Sequence, residues 1–152
     1  MLISYNSIMF NIKRGAYKYL GEGSSRKVFD LNNGYVVKIA KNMAGVEQNR
    51  IEYMISEDDN SNLLAKVVQA SNNYDFIIMR RARKVKDILD VWDYFNVTSK
   101  NEFLELPELK RLKIKYNLLL NDLNKKTSWG TISGRPVIID YGFTKRVRER
   151  YY

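Results

Sequence analysis

The stretch Val137–Gly142, with the sequence VIIDYG, lies near the end of the chain. Three apolar residues run into an acid, an aromatic residue and a glycine, which is typical of a buried strand that carries a carboxylate at its end. The same pattern also fits a simple turn after a strand. The function of Asp140 therefore depends on which residues accompany it in the rest of the chain.

Length and composition indicate a small globular protein. The chain has 152 residues, 45% of them hydrophobic, which suits one domain or two small lobes that share a core. No run of about 18 uncharged apolar residues is present, so no membrane-spanning helix is predicted. The basic residues near the N-terminus follow the apolar run, whereas a signal peptide has them before it. Together with the absence of cysteine, this predicts a cytoplasmic protein, in a bacterial host cell if a phage encodes it.

The absence of histidine restricts the chemistry further. Neither a serine–histidine nor a cysteine–histidine nucleophile system can be built, and histidine and thiolate metal sites are excluded. Any general base must be Asp, Glu, Lys or Tyr. A bound metal is expected to be a hard ion held by oxygen atoms, which means magnesium or manganese.

The chain is strongly basic. Its formal net charge is +9, from 26 Lys and Arg against 17 Asp and Glu. Such a balance indicates an anionic binding partner, namely nucleic acid, nucleotide phosphates or an acidic protein. The basic residues cluster at 80–84 and 145–148, but most of them are interpreted as solvated surface.

The first half of the sequence predicts a β-rich lobe. Short apolar and β-branched runs predict strands at 17–23, 26–31, Tyr35–Ala40, 63–70 and 74–80. The tripeptide Asn32-Asn33-Gly34 is a strong hairpin signal between the second and third strands. An apolar stripe at helical spacing predicts one helix over 43–57.

The second half predicts mainly helices. Residues 84–95 have helical periodicity, and 101–123 predict one long helix or a broken pair whose second piece opens at Pro107. The segment 128–143 predicts a hairpin around Ser133-Gly134. A small β-rich lobe is thus followed by a helical one.

Two features of the first half suggest a phosphate site. Gly21 and Gly23 alternate between two predicted strands, where backbone can approach a phosphate closely, although a plain hairpin turn explains them too. Lys38 lies inside an apolar strand, and an isolated buried ammonium group is costly, so it needs a partner. The following helix offers Glu47 and Glu52. We favour Glu52 because it adjoins the apolar stripe.

The order of these pieces resembles the protein-kinase-like family. That family has a glycine-rich loop, a strand lysine and a helix glutamate, and Asp122-Leu123 resembles the Asp-Leu of its catalytic loop. Asp140-Tyr141-Gly142 resembles its Asp-Phe-Gly element, with tyrosine for phenylalanine. The resemblance implies an α+β, two-lobed kinase-like domain over 1–152. Its N-lobe, over 1–80, would be β-rich with one helix, and its C-lobe, over 81–152, would be truncated and mainly helical.

The resemblance also implies a nucleotide site in the N-lobe, with ATP as the nucleotide. Gly21, Gly23 and Val28 would line it. Lys38 would contact the phosphates and pair with Glu52, which places both among the catalytic residues. Arg26 stands where the family has its third loop glycine, so it is expected to crowd the nucleotide or add positive charge beside it.

The remaining roles fall in the second half. The resemblance implies that Asp140 binds Mg²⁺ (or Mn²⁺) and that Asp122 accepts the proton of an attacking hydroxyl. The family's second metal ligand, an asparagine, falls on Thr127, with Ser128 adjacent. A neutral hydroxyl is a poorer magnesium ligand than an amide carbonyl, so weak catalysis is one expectation.

Three hypotheses for the function follow. The first is a minimal ATP- and Mg²⁺-dependent phosphotransferase that acts on a protein or a small-molecule hydroxyl. The second is a pseudokinase-like protein that binds a host protein, because the sequence ends soon after Gly142 and resembles truncated kinase-like proteins of phages and mobile elements. The third, a basic nucleic-acid-binding domain, is less favoured because no such motif is evident. A short C-lobe leaves apolar surface that would suit a dimer.

Overall fold

The structure, a computed structural model, describes residues 2–152. Over these residues the chain is α+β, with seven α-helices and eight β-strands. It forms two compact units, which are described separately below. The first unit takes in the residues up to Asp58 together with Lys66–Arg81, and the second takes in Asp59–Ala65 together with Ala82–Tyr152.

The first unit contains a five-stranded antiparallel sheet with the strand order β1-β2-β3-β5-β4. The strands are β1 Lys18–Glu22, β2 Arg26–Asp30, β3 Tyr35–Ala40, β4 Val67–Ala70 and β5 Phe76–Arg80. The five predicted strands are therefore confirmed. The fourth is shorter than predicted, because Leu64 instead pairs with Ile138 within the second unit.

The turn and the helix of this unit also follow the sequence. Asn32 (φ 64°) and Gly34 (φ 89°) have the left-handed backbone that the predicted hairpin requires. Helix α2 spans Met43–Asp58, close to the predicted 43–57. Gly45 permits α2 to lie against the β1–β2 turn, because a Cβ atom there would lie 2.2 Å from the carbonyl oxygen of Ser25.

A further helix, α1 at Tyr5–Lys13, was not predicted. Ser4 caps its N-terminus by accepting a hydrogen bond from the backbone N–H of Ser7. Ile8 is fully buried in the apolar core of this unit, which also contains Leu31, Val37, Ile39, Phe76 and Ile78. Helix α1 thus supplies apolar side chains to the sheet face that carries Val37 and Ile39.

The second unit combines five helices with a small antiparallel sheet of order β6-β7-β8 over the described residues. The strands are β6 Arg83–Lys84, β7 Trp129–Ile132 and β8 Arg135–Ile138. The helices are α3 Ile88–Tyr94, α4 Lys100–Leu104, α5 Pro107–Tyr116, α6 Leu120–Leu123 and α7 Lys145–Tyr151, with a 3-10 turn at Lys126–Ser128.

Sequence signals explain most of these boundaries. Of the two options for 101–123, the broken pair is correct, and Pro107 opens α5 as predicted. The predicted helix over 84–95 is shorter, because Asp87 caps it and β6 precedes it. The hairpin between β7 and β8 is confirmed, with Ser133 at φ 53° and Gly134 at φ 75°. Helix α7 was not predicted.

The core of the second unit is aromatic. Trp129 is fully buried, and the rings of Phe95 and Phe103 lie within about 6 Å of it. The indole N–H of Trp129 donates to the carbonyl of Leu123 (2.6 Å), which ties β7 to α6. Among residues 2–152, no helix is both long and apolar enough to cross a bilayer.

Candidate functional site

The sheet register of the first unit aligns three of the residues expected at a nucleotide. Gly21 in β1 lies opposite Val28 in β2, and Val28 lies opposite Lys38 in β3. Residues directly opposite each other on antiparallel strands share a sheet face. Gly21, Val28 and Lys38 therefore form one row across the sheet.

The backbone around the two glycines leaves space on the outer side. No atom lies within 4 Å of the position that a Cβ atom would occupy at Gly21 or at Gly23. Gly21 has φ 146°, which favours glycine, and the β1–β2 register shifts between Tyr19 and Gly21. This arrangement suits close approach of a phosphate group to the loop backbone.

Lys38 and Glu52 form a buried ion pair. The ammonium nitrogen of Lys38 lies 2.9 Å from Oε1 of Glu52, and the side chains are 8% and 0% exposed. Glu52 is thus the partner, as the sequence favoured, whereas Glu47 pairs with Arg50 on the same helix. The predicted catalytic roles of Lys38 and Glu52 stay predictions.

Arg26 is a third member of this cluster. Its guanidinium binds Glu52 in bidentate fashion, with Nη1–Oε1 at 2.7 Å and Nη2–Oε2 at 3.0 Å. Arg26 is only 6% exposed, and its Nη1 also donates to Asn49 Oδ1 at 3.2 Å. Arg26 opens β2, and its guanidinium group is turned inward onto Glu52. That Arg26 crowds a nucleotide or adds positive charge beside it stays a prediction.

The sequence held a signal for this role. Arg26 precedes Val28 by two residues in β2, so both side chains lie on the sheet face that carries Lys38. The predicted strand 26–31 contained this alternation, but the pairing of Arg26 with Glu52 was not predicted.

The two cations determine the charge state of Glu52. Burial alone would raise the pKa of its carboxyl group, but the charges of Arg26 and Lys38 outweigh burial and lower the pKa to about 2. Glu52 is therefore ionised throughout the neutral range. It holds two cationic side chains in fixed positions on one face of the sheet.

In the second unit, Asp122 lies in the short helix α6. Its Oδ1 accepts a hydrogen bond from the ammonium group of Lys125 at 2.8 Å, and the Asp122 side chain is 29% exposed. Its Oδ2 is inaccessible to solvent and accepts no hydrogen bond from the described residues. Buried polar atoms in proteins are nearly always hydrogen-bonded, so an unsatisfied carboxylate oxygen marks a functional candidate.

Ser128 fixes the backbone around Asp122. Its hydroxyl group donates to the carbonyl of Asp122 at 2.7 Å, and its own carbonyl accepts from the N–H of Ile139 at 2.8 Å. Ser128 therefore links the Asp122 segment to the residue that precedes Asp140. Ser128 is buried, whereas Thr127 is exposed, so Thr127 is the more accessible of the two hydroxyl groups proposed for the metal.

The segment that carries Asp140 is anchored by its neighbour. Tyr141 is 1% exposed, and its hydroxyl group donates to the carbonyl of Ala65 at 2.7 Å. This hydrogen bond gives the tyrosine a partner that phenylalanine would lack. Asp140, by contrast, is exposed and lies two residues after the end of β8.

The oxygen atoms offered by Asp140 and Thr127 fit a hard cation in kind. Mg²⁺ is commonly held by one or two carboxylates, with phosphate and water oxygens completing the shell. Within residues 2–152, no group of three or more carboxylate side chains is placed to hold a metal on its own. The assignment of Asp140 and Thr127 as ligands of a nucleotide-borne Mg²⁺ stays a prediction.

Comparison with known proteins addresses the fold. No protein-family model matches the chain, and no curated protein sequence matches it significantly. Among solved structures, the streptomycin–ATP–APH(2")-IIa ternary complex is 17% identical, with a TM-score of 0.52 over 93% of this chain and 73% of the other. The ADP-bound aminoglycoside phosphotransferase APH(2'')-Ib is 14% identical, with a TM-score of 0.52 over 91% and 71%.

A Mycobacterium tuberculosis kinase domain, PknI, also aligns. It is 14% identical, with a TM-score of 0.48 over 85% of this chain and 60% of its own length. The two phosphotransferases establish the fold, which is protein-kinase-like, as the order of sequence motifs predicted.

Proposed function

We propose that the protein is a phosphotransferase that uses ATP with Mg²⁺ and transfers the terminal phosphoryl group to a hydroxyl group. The observation that carries the proposal is the buried Lys38–Glu52 ion pair at 2.9 Å, on the sheet face shared with Val28 and Gly21. A strand lysine held by a helix glutamate is the arrangement that kinase-like enzymes use to position nucleotide phosphates.

The first unit would bind the nucleotide. Gly21 and Gly23 leave open space beside the loop backbone, so phosphate oxygens can approach it closely, while the N–H of Gly23 itself donates to the carbonyl of Arg26. Lys38 would donate to those oxygens while Glu52 fixes its position. Val28, half-buried in the same row, would contact the base or ribose.

The second unit would supply the acids. Asp122 would accept the proton as the acceptor hydroxyl oxygen forms its bond to the terminal phosphorus. The bond from that phosphorus to the bridging oxygen breaks at the same time, and ADP leaves. Mg²⁺, when bound with the nucleotide, would neutralise phosphate charge, with Asp140 as its protein ligand.

A small molecule is the acceptor that we favour over a protein hydroxyl. One structural relative was solved with streptomycin and ATP, and a second is an aminoglycoside phosphotransferase, so proteins of this fold include ones that bind or act on small molecules. In this chain, a cavity of about 440 Å³ adjoins Asp122, which is a volume typical of small-molecule sites.

Thermal unfolding tests the nucleotide site. We expect Mg²⁺ and ATP together to raise the Tm of the wild type. At a ligand concentration a hundredfold above Kd, the folded state gains about 2.7 kcal/mol of stability. Asp140→Asn should lose the part of the shift that depends on magnesium. Asp122→Asn should keep the shift but lose ADP formation, because it removes the proton acceptor and not the nucleotide site.

Asp93→Asn is the matched control. Asp93 is an exposed acid on α3 of the second unit, so its carboxamide variant should behave as the wild type. Failure of any nucleotide to raise the Tm would refute the proposal. Magnesium-dependent binding without ADP formation would instead favour the pseudokinase-like alternative.

A further inference from the structure

The second unit holds a cavity whose wall includes the proposed proton acceptor. The cavity has a volume of about 440 Å³, and Asn121 and Asp122 of α6 contribute to its lining. All of its lining residues belong to the second unit. The cavity therefore belongs to that unit alone, and binding of a ligand to it can be measured without nucleotide.

Asp122 meets this cavity through the accessible part of its side chain, which is 29% exposed. Its Oδ2 is inaccessible to solvent, so an occupant of the cavity does not reach that atom. Lys125 engages Oδ1 with one hydrogen bond, and a carboxylate oxygen can accept a second. A hydroxyl group that enters the cavity would therefore donate to Oδ1, beside Lys125.

The charges around the cavity are not balanced. Lys110 is paired with Glu105, which also lines the cavity. Lys113 on α5 and Arg148 on α7 line it as well, and neither makes an ion pair with any residue in 2–152. Two exposed cations therefore face the cavity with no protein carboxylate assigned to them.

Apart from the Asn121 amide, the rest of the wall is apolar. Leu104, Leu118, Leu119 and Phe143 are among the lining residues. An occupant thus meets a small apolar surface, the Asn121 amide, the paired Lys110 and Glu105, two further cations and Asp122. This combination suits a compact carbon skeleton with a hydroxyl group and an anionic group.

We infer that this cavity binds the phosphate acceptor, and that the acceptor is a small hydroxyl compound bearing a carboxylate or phosphate group. The anionic group binds Lys113 and Arg148, and the hydroxyl group donates to Asp122. The transfer chemistry rests on the proposed function, whereas the binding of an anion to the cavity does not. A cationic amino compound of the same size meets like charges at this site and binds more weakly.

Four probes with one three-carbon skeleton test this inference. Glycerol phosphate and glycerate carry the two anionic groups, glycerol is neutral, and aminopropanediol is cationic. Each is titrated into the full chain without nucleotide, and backbone amide chemical shifts are recorded by NMR. We expect the two anionic probes to shift the amides of Asn121, Phe143 and Arg148, and to bind about tenfold more tightly than glycerol. The larger shift of the two identifies which anionic group the site prefers.

A charge-matched pair of double variants locates the binding. Lys113→Gln with Arg148→Gln should abolish the tenfold preference for anionic probes. Lys115→Gln with Arg146→Gln removes the same charge from the same two helices outside the cavity lining, and should keep the preference. Equal binding of aminopropanediol, equal binding by the first double variant, or no shift with any probe would each overturn the inference.

The two proposals fail separately. Anion binding at these amides with no Tm shift from Mg²⁺ and ATP would refute the proposed phosphotransferase and leave the anion site standing. A nucleotide-induced Tm shift with no probe binding would refute the acceptor cavity alone.

Discussion

Glu52 and Asp122 are carboxylates that the fold treats in opposite ways. Glu52 is fully buried, and Arg26 and Lys38 together direct three hydrogen bonds to its two oxygens. Asp122 is 29% exposed, with one oxygen paired to Lys125 and the other without a partner among the described residues.

The difference separates two uses of a negative charge. The charged donors Arg26 and Lys38 engage both oxygens of Glu52 and favour its ionised form, so Glu52 serves to position cations. A buried carboxylate oxygen that accepts no hydrogen bond has lost its hydration without compensation, which is unfavourable in free energy. The first residue belongs to the architecture of the site, and the second is suited to its chemistry.

Removal of Glu52 should have the largest effect on stability. Glu52→Ala leaves two buried cationic side chains without their shared carboxylate, and we expect the free energy of unfolding to fall by about 3–5 kcal/mol. Urea denaturation monitored by tryptophan fluorescence measures it. Glu57→Ala, an exposed site on the same helix, is the control and should change stability little. A loss below about 1 kcal/mol would show that Glu52 is not the centre of this cluster.

Acid should weaken the same cluster in a defined window. The folded pKa of Glu52 lies near 2, below its ordinary 4.5, so the unfolded chain takes up the proton first as the pH falls. Its contribution is fully present above pH 4.5 and is lost progressively towards pH 2. We expect the stability advantage of the wild type over Glu52→Gln to shrink by about 3 kcal/mol across that window. An advantage that does not change with pH would contradict the lowered pKa.

A smaller effect should distinguish the two cations. Lys38→Met leaves both oxygens of Glu52 bound to Arg26, whereas Arg26→Met removes the bidentate partner and keeps the single hydrogen bond from Lys38. We therefore expect Arg26→Met to be less stable than Lys38→Met by about 1–2 kcal/mol in urea denaturation. The reverse order would mean that Lys38, not Arg26, is the main support of Glu52.

Local patterns explain why much of the first unit could be predicted. The strand containing Lys38 alternates towards two faces, and the helix stripe singles out Glu52, so their pairing follows from period-2 and period-3.6 spacing. Arg26 obeys the same alternation within the predicted strand 26–31, but its pairing with Glu52 was not predicted.

Other features depend on contacts that local spacing does not reveal. Helix α1 is anchored by the burial of Ile8 against strands far along the chain, and nothing in its own short sequence specifies that core. The cavity at Asp122 is lined by residues from Leu104 to Arg148, drawn from several helices and their connections. The sequence does not explain why the Asp-Tyr-Gly element has a tyrosine, because the hydroxyl group of Tyr141 donates to the carbonyl of Ala65, a residue distant in sequence.

That hydrogen bond has a consequence for how the polypeptide is made. Tyr141 and Ala65 are 76 positions apart, and the neighbouring residues Leu63 and Ala65 exchange backbone hydrogen bonds with Ile138. The segment Asp59–Ala65 interrupts the first unit yet completes the second. On the ribosome, the chain would release this segment long before its partners emerge, so its backbone groups must remain hydrated until Ile138 and Tyr141 have been synthesised. A fragment that ends near Arg81 would keep the segment Asp59–Ala65 without its partners in the second unit, so the backbone groups of this segment would remain hydrated.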